Sequence, residues 1–149
     1  MAEVVVRKME LSDIDDVMAV ETESFTAPWP RDVILHELTD NQYAHYYVIL
    51  LDQKVVGYSG MWHVIDDAQI TNVAIKPAYR GKKLGETLFF YTLEAAMKLG
   101  AKRLSLEVRV SNTVAQRMYR KFGLIPGGIR KNYYTDNQED AIVMWVKLA

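Results

Sequence analysis

Apolar residues along this chain follow two rhythms, one of period two and one near 3.6. The switches between them mark out its elements. Val4-Val5-Val6 reads as a short first strand. Ser12 suits a helix N-cap, with Asp13, Asp15 and Asp16 in the first turn and Ile14, Val17, Met18 and Glu21 following at helical spacing. Phe25-Thr26-Ala27-Pro28-Trp29-Pro30 breaks that helix, and Pro30 suits the first turn of a second one. The second helix carries Val33, Ile34 and Leu38 and ends near Asp40-Asn41. Tyr43 to Leu51, Val55 to Val64 and Ala68 to Ile75 then read as strands. They turn at Asp52-Gln53-Lys54 and at Asp66-Asp67, close enough in sequence for an antiparallel meander.

The pattern changes at Lys76-Pro77-Ala78-Tyr79, a turn. Leu84, Leu88, Tyr91, Thr92, Ala95, Ala96 and Leu99 recur at helical spacing, and Gly100 provides a stop. Arg103 to Val110 alternates cleanly, with Leu104, Leu106, Val108 and Val110 on one face and Arg103, Ser105, Glu107 and Arg109 on the other. A crossover of this length implies local parallel pairing of the strands it joins. Ser111 or Asn112 can cap a short helix with Val114, Ala115, Met118, Tyr119 and Phe122, closed by Gly123. Pro126-Gly127-Gly128 reads as a turn, and Ile129 to Tyr134 and Ala141 to Lys147 as final strands joined by Thr135 to Asp140. The order βααβββαβαββ predicts one α+β domain over residues 1–149. About seven strands form a central mixed, mostly antiparallel sheet, flanked by about four helices.

Composition narrows the function. The 149 residues are half hydrophobic, enough for one sizeable core. With 18 basic and 19 acidic side chains, nothing points to a nucleic-acid or membrane partner. The absence of cysteine excludes disulfides, thiolate metal sites and a cysteine nucleophile. His36, His45 and His63 show no metal spacing, so no metal is expected. Without a leader or an apolar run of spanning length, the protein is expected to be soluble and cytoplasmic.

One stretch concentrates charge. From Ala68 to Gly85 there is no acid, while Lys76, Arg80, Lys82 and Lys83 fall within it. Strand, glycine-bearing loop and helix in that order leave unpaired N–H groups at a helix N-terminus, where an anion is favoured. The same residues also read as an ordinary loop with solvated lysines. Neither G-x-x-x-x-G-K-[ST] nor G-x-G-x-x-G occurs in the chain. Arg80-Gly81-Lys82-Lys83-Leu84-Gly85 resembles instead the pyrophosphate loop of the GNAT (Gcn5-related) N-acetyltransferases, [Q/R]-x-x-G-x-[G/A]. Lys83 stands where that pattern has its first glycine. The resemblance implies a GNAT fold and acetyl-CoA as cosubstrate, with its pyrophosphate on Arg80, Gly81, Lys82, Lys83, Leu84, Gly85 and Glu86. Its pantetheine arm would lie along Val73, Ala74 and Ile75.

A second stretch sharpens this. Leu106-Glu107-Val108-Arg109-Val110-Ser111-Asn112 resembles the L-E-V-R-x-S-N segment of bacterial ribosomal-protein N-terminal acetyltransferases of the RimI type. That resemblance implies a general base at Glu107 and a pantetheine contact at Asn112. By its residues alone, Glu107 also reads as a surface carboxylate paired with Arg109. Met118-Tyr119-Arg120-Lys121-Phe122-Gly123-Leu124 resembles the family's Y-x-x-x-G-F, with Leu124 in place of Phe, and implies that Tyr119 protonates the leaving thiolate. Tyr119 equally reads as core beside Met118 and Phe122. Asn132-Tyr133-Tyr134 followed by Glu139-Asp140-Ala141 resembles the N-terminal acetyltransferases within the family. Phe25 and Trp29 on one side and Tyr133 and Tyr134 on the other are the candidate acceptor walls, although hairpin aromatics pack on sheets without any ligand.

The expected reaction is transfer of acetyl from acetyl-CoA to a peptide α-amine. The family's acceptor is the N-terminal alanine of the eighteenth protein of the small ribosomal subunit, so the expected partner is a ribosomal protein. No cysteine is available for an acyl-enzyme, which leaves direct attack by a neutral amine. A peptide α-amine, with a pKa of about 7.7–8.0 against about 10.4 for lysine, suits a carboxylate base. Two other classes stay open: acetylation of a small-molecule amine, and a non-catalytic CoA-binding module.

Overall fold

The computed structural model describes residues 2–148. Its strands are β1 (Val4–Lys8), β2 (Ala44–Leu51), β3 (Lys54–Val64), β4 (Asp67–Ile75), β5 (Arg103–Arg109), β6 (Ile125–Arg130) and β7 (Ala141–Lys147). The helices are α1 (Ile14–Ser24), α2 (Arg31–Thr39), α3 (Leu84–Lys98) and α4 (Thr113–Lys121). The sheet order is β1-β2-β3-β4-β5-β7-β6. All neighbours are antiparallel except β4 and β5. The expected α+β class and the parallel step at the crossover are both present.

Two cores lie on opposite faces of the sheet. Odd positions of β2, such as Tyr47 and Ile49, meet Leu88 and Phe89 of α3 and the even residues Leu104, Leu106 and Val108 of β5. Even positions Tyr46, Val48, Tyr58 and Ala74 meet Val17 and Val20 of α1 and Ile34 of α2. A residue's place in the β alternation therefore decides which pair of helices it faces.

Several local readings differ from the structure. Ser12 is not the cap of α1. Leu11–Asp13 is one turn of 3₁₀ helix, and Asp13 accepts the Glu10 N–H at 2.8 Å while bridging to Arg7 at 2.7 Å. The β3–β4 turn falls at Ile65-Asp66, and Asp67 already belongs to β4. Pro126-Gly127-Gly128 lies inside β6, where the register shifts against β7. Proline is tolerated there because β6 is the sheet's edge. A Cβ on Gly127 would stand 2.6 Å from the Trp145 ring, so glycine lets that ring lie flat on the strand. Tyr133 and Tyr134 belong to the connection between β6 and β7, not to a strand.

The feature that shapes the site is a break in pairing. β4 and β5 pair only over Asp67–Gln69 and Arg103–Ser105. Just beyond, β4 carries a bulge against β3: Met61 opposes Ile70 and Gly60 opposes Asn72, which leaves Thr71 as the extra residue. A bulge bends its strand and adds twist, and this one turns β4 away from β5. Gly60 permits it, because a Cβ there would meet Thr71 Oγ1 and the Tyr46 ring at 2.6 Å. Gly60→Ala is therefore expected to cost about 1–3 kcal/mol, the usual penalty of overpacking. It should lower the urea midpoint with an unchanged m-value. A wild-type midpoint would mean that the bulge does not depend on this glycine.

Candidate active site

Lys76 N–H bonds to the Val56 carbonyl at 2.8 Å, and Ile75 lies opposite Gly57. By antiparallel alternation Ala74 also bonds toward β3, so Val73 and Ile75 turn their N–H and C=O groups to the other edge. That edge is the one β5 has left. The Ile75 carbonyl is taken by Arg80 Nε at 3.0 Å and by the Ser24 hydroxyl at 3.5 Å. Arg80 thus ties the basic loop back to the open strand.

The loop enters α3 through two left-handed residues, Gly81 at φ 81° and Lys83 at φ 62°. Lys83, standing where the resembled pattern has glycine, adopts the conformation glycine would take without strain. Gly85 lies in the first turn of α3, and a Cβ there would touch only Met118 and Ile75, at 3.7 and 3.8 Å. Neither backbone angle nor packing demands a glycine. A helix N-terminus with Lys82 and Lys83 beside it suits an anionic ligand. Glu86 points away to an ion pair with Lys121 at 2.7 Å.

Between the diverging strands lies a cavity of about 440 Å³ lined by Phe25, Trp29, Val73, Glu107, Asn112, Tyr119, Tyr133 and Tyr134, among others. Residues from five separate stretches of sequence are thereby brought together. Ala74, Ile75 and the Arg80–Glu86 segment are not among its lining residues. Asn112 caps α4 by accepting the Ala115 N–H at 3.1 Å.

Glu107 and Tyr119 approach from opposite sides. Glu107 is an odd residue of β5 and so faces α1 and α2, whereas Tyr119 packs in the α3 core with its ring 5.0 Å from Phe89. The Glu107 side chain is 10% exposed and pairs with Arg130 Nε at 3.1 Å. Gln69 Nε2 donates to its other oxygen at 3.4 Å. Arg109, the partner that sequence adjacency suggests, is engaged elsewhere. It binds Asp136 at 2.8 Å and Glu139 at 3.2 Å and lies 3.9 Å over the Tyr134 ring. Burial raises the Tyr119 hydroxyl above its ordinary value, and burial pushes Tyr134 up to about 12. Both phenols therefore stay protonated through neutral pH.

Some of the site lies outside the residues expected from sequence. Glu21 is buried, lines the cavity, takes the Tyr58 hydroxyl, and accepts the Trp29 N–H at 2.7 Å. Thr26 bonds to Asp136 at 2.7 Å and joins the two aromatic walls. Asn72 Oδ1, in the cavity lining, is buried with no hydrogen-bond partner among the described residues. Glu21 carried a signal, an acid within the apolar stripe of α1. The Thr26–Asp136 contact joins residues far apart in the sequence, and Asn72 stands in an ordinary strand, so neither has a local signature. Among the described residues no group of three or more His, Cys, Asp or Glu could hold a metal ion, and no helix is long and apolar enough to cross a membrane.

The acetyltransferase (GNAT) family model matches residues 14–124. A Bacillus subtilis (strain 168) protein, provisionally named a ribosomal protein bS18-alanine N-acetyltransferase, is 61% identical over 143 residues, 96% of this chain and 95% of that one. The ribosomal protein bS18-alanine N-acetyltransferase of Escherichia coli (strain K12) is 32% identical over 93% of this chain and 94% of its own. The crystal structure of the ribosomal-protein-S18-alanine N-acetyltransferase from Escherichia coli superposes with a TM-score of 0.91 at 27% identity, covering 99% of this chain and 95% of that one. The chain belongs to the GNAT acetyltransferase family and is an acetyl-CoA-dependent enzyme.

Gly85 separates fold from binding. Gly85→Ala should stabilise the protein by roughly 0.4–1 kcal/mol, since alanine loses less freedom on folding and meets no obstacle. The same methyl group should weaken CoA binding measured by calorimetry. A variant that gains stability and keeps full affinity would show that the phosphates lie elsewhere.

Proposed function

We propose that this enzyme acetylates the free α-amine of a protein in the cytoplasm, and that its acceptor is the N-terminal alanine of ribosomal protein bS18. The observation that carries the reading is the placement of Glu107 and Tyr119 on opposite faces of the split sheet, walling one cavity. The relatives from Bacillus subtilis and Escherichia coli, alike over nearly their full length, support the choice of acceptor.

Acetyl-CoA supplies an acetyl group activated as a thioester. The Val73 and Ile75 N–H groups on the open edge of β4 offer donors to a carbonyl oxygen that gains negative charge. Glu107 accepts a proton from the acceptor amine on the α1–α2 side, directly or through water. Tyr119, on the α3 side, donates its hydroxyl hydrogen toward the departing sulfur. The apolar surroundings that raise the phenol also raise a thiol, so donor and acceptor stay matched. Asn112, fixed at the α4 cap, faces the pantetheine arm. The aromatic walls of Phe25, Trp29, Tyr133 and Tyr134 hold a peptide backbone beside the amine. Thr26–Asp136 and Arg109 keep those walls together.

Glu107→Gln should lower kcat by roughly 10²–10⁴, the usual worth of a general base, with little change in CoA affinity. Tyr119→Phe should lower kcat as well, because the ring remains and only the hydrogen is lost. Wild-type rates in both variants would leave positioning alone to account for the rate.

The pH profile tests the same roles. The wild-type kcat/KM should rise as the acceptor amine deprotonates around pH 7.7–8.0. It should then stay level to about pH 10, because Tyr119, raised by burial, keeps its proton. A fall between pH 8 and 9 would speak against Tyr119 as donor. For the acceptor, peptides beginning with alanine and carrying an internal lysine can be compared with spermidine by mass spectrometry. Acetyl groups on lysine or spermidine, and not on the α-amine, would overturn the N-terminal assignment.

A further inference from the structure

Beside Glu107 a second cleft of about 220 Å³ opens, walled by Trp62, Gln69, Thr71 and Tyr133 and sharing the Glu107 wall with the main cavity. Its residues are in a row for a structural reason. Trp62 lies directly opposite Gln69 across β3 and β4, and Gln69 lies opposite Ser105 of β5, two residues before Glu107. Trp62, Gln69 and Glu107 therefore project from one face of the sheet.

Trp62 is 38% exposed, yet it is tethered. Its indole N–H donates to Glu37 Oε1 at 2.6 Å. Glu37, on α2 and only 5% exposed, also takes the Tyr46 hydroxyl at 3.0 Å and the Asn41 side-chain amide at 2.6 Å. The Tyr46 hydroxyl lies 3.4 Å from Thr71 Oγ1, in the lining of the same cleft. A buried carboxylate with three donors has a fixed position. The ring it holds by the edge is fixed too, and part of its surface lines the cleft. A tryptophan placed only for stability would bury that surface.

We infer that this cleft seats the acceptor residue following the acetylated one, and that Trp62, positioned by Glu37, selects a flat side chain there. The inference rests on the acceptor reading above. Consecutive Cα atoms are 3.8 Å apart, so with the amine at Glu107 the next side chain reaches the adjoining cleft. A fixed indole face offers stacking to an aromatic ring and both stacking and cation–π attraction to a guanidinium. The charged groups beside the ring are Glu37 and Glu107, with Arg130 on Glu107, so carboxylates outnumber cations there. Lysine would find the charge without the stacking plane.

The test is the kcat/KM of four peptides differing only at the second residue: Ala-Arg, Ala-Tyr, Ala-Lys and Ala-Ala at the start. The wild type should favour arginine and tyrosine over alanine by about 2–10-fold, with lysine between. Trp62→Leu should bring those ratios to about one. Glu37→Ala should do the same although Trp62 is still present, and Glu37→Gln, whose carbonyl can still accept the indole N–H, should restore them. The ratio is the readout because a general loss of stability would scale all four peptides together. Calorimetry of the Ala-Arg and Ala-Ala peptides should show the same ratio in affinity. A preference for arginine without tyrosine would identify a charge site and overturn stacking as its basis. Wild-type ratios in Trp62→Leu, or no preference in the wild type, would overturn the subsite while leaving the acceptor assignment standing. Acetylation of spermidine and of none of the peptides would overturn both.

Discussion

Everything in this molecule's chemistry depends on two parallel strands that stop pairing after three residues. In an ordinary sheet the N–H and C=O groups of Val73 and Ile75 would be consumed by β5. Here the bulge at Thr71 turns β4 aside, and those groups lie on an open edge, with Val73 in the lining of a cavity. Backbone polar groups left in such a place need a partner, and the ones already supplied, Arg80 and Ser24 on the Ile75 carbonyl, satisfy acceptors only. The donors remain for something that brings its own carbonyl. A thioester with an amide-bearing arm has that character.

The split also solves a geometric problem of acyl transfer. The base must reach the incoming amine, and the acid must reach the outgoing sulfur, so the two groups belong on different sides of the reacting carbon. A continuous sheet would separate them by its own thickness. Parting β4 from β5 makes a slot through the sheet, and period-two alternation does the rest. Odd residues of β5 send Glu107 toward α1 and α2, while α4 packs with α3 on the other side and brings Tyr119 to the same slot. The basic loop lies at the open end of β4, since Arg80 is tied to the Ile75 carbonyl. On the proposed reading, cofactor phosphates, thioester and acceptor fall along one path.

Much of this was legible in the sequence, and what was not shares a cause. The alternation of Leu104, Leu106 and Val108 assigned Glu107 its face correctly, because periodicity reports burial directly. Its partner was not legible. Arg109 is near in sequence, but Arg130 reaches Glu107 from beyond β7, and Arg109 is spent on the Asp136–Glu139 loop. The bulge was invisible for a similar reason, since Thr71 is an ordinary strand residue whose extra place exists only relative to Gly60 on β3. Pro126-Gly127-Gly128 misled because its composition signals a turn. The demand it meets is an edge strand crossing under Trp145. Local chemistry was readable, whereas pairings between distant strands had to be seen.

The two buried carboxylates on α1 and α2 extend the same logic to the acceptor side. Burying a carboxylate is costly unless donors surround it, and a core built for stability alone would use leucine at Glu21 and Glu37. Each instead gathers one group from a residue that lines the cavity or its neighbouring cleft, together with other donors. Glu21 takes the Trp29 N–H and the Tyr58 hydroxyl, and Glu37 takes the Trp62 indole, Tyr46 and Asn41. The bond to Trp29 is to its backbone N–H and fixes the loop, whereas the bond to the Trp62 indole fixes a side chain that would otherwise sample several rotamers. Ordering them before a peptide arrives moves that entropic cost from binding to folding, so the peptide need not supply it. On the proposed reading, the acid positions in the apolar stripes of α1 and α2 have a physical role that neither catalysis nor core packing requires: they hold the acceptor's walls still.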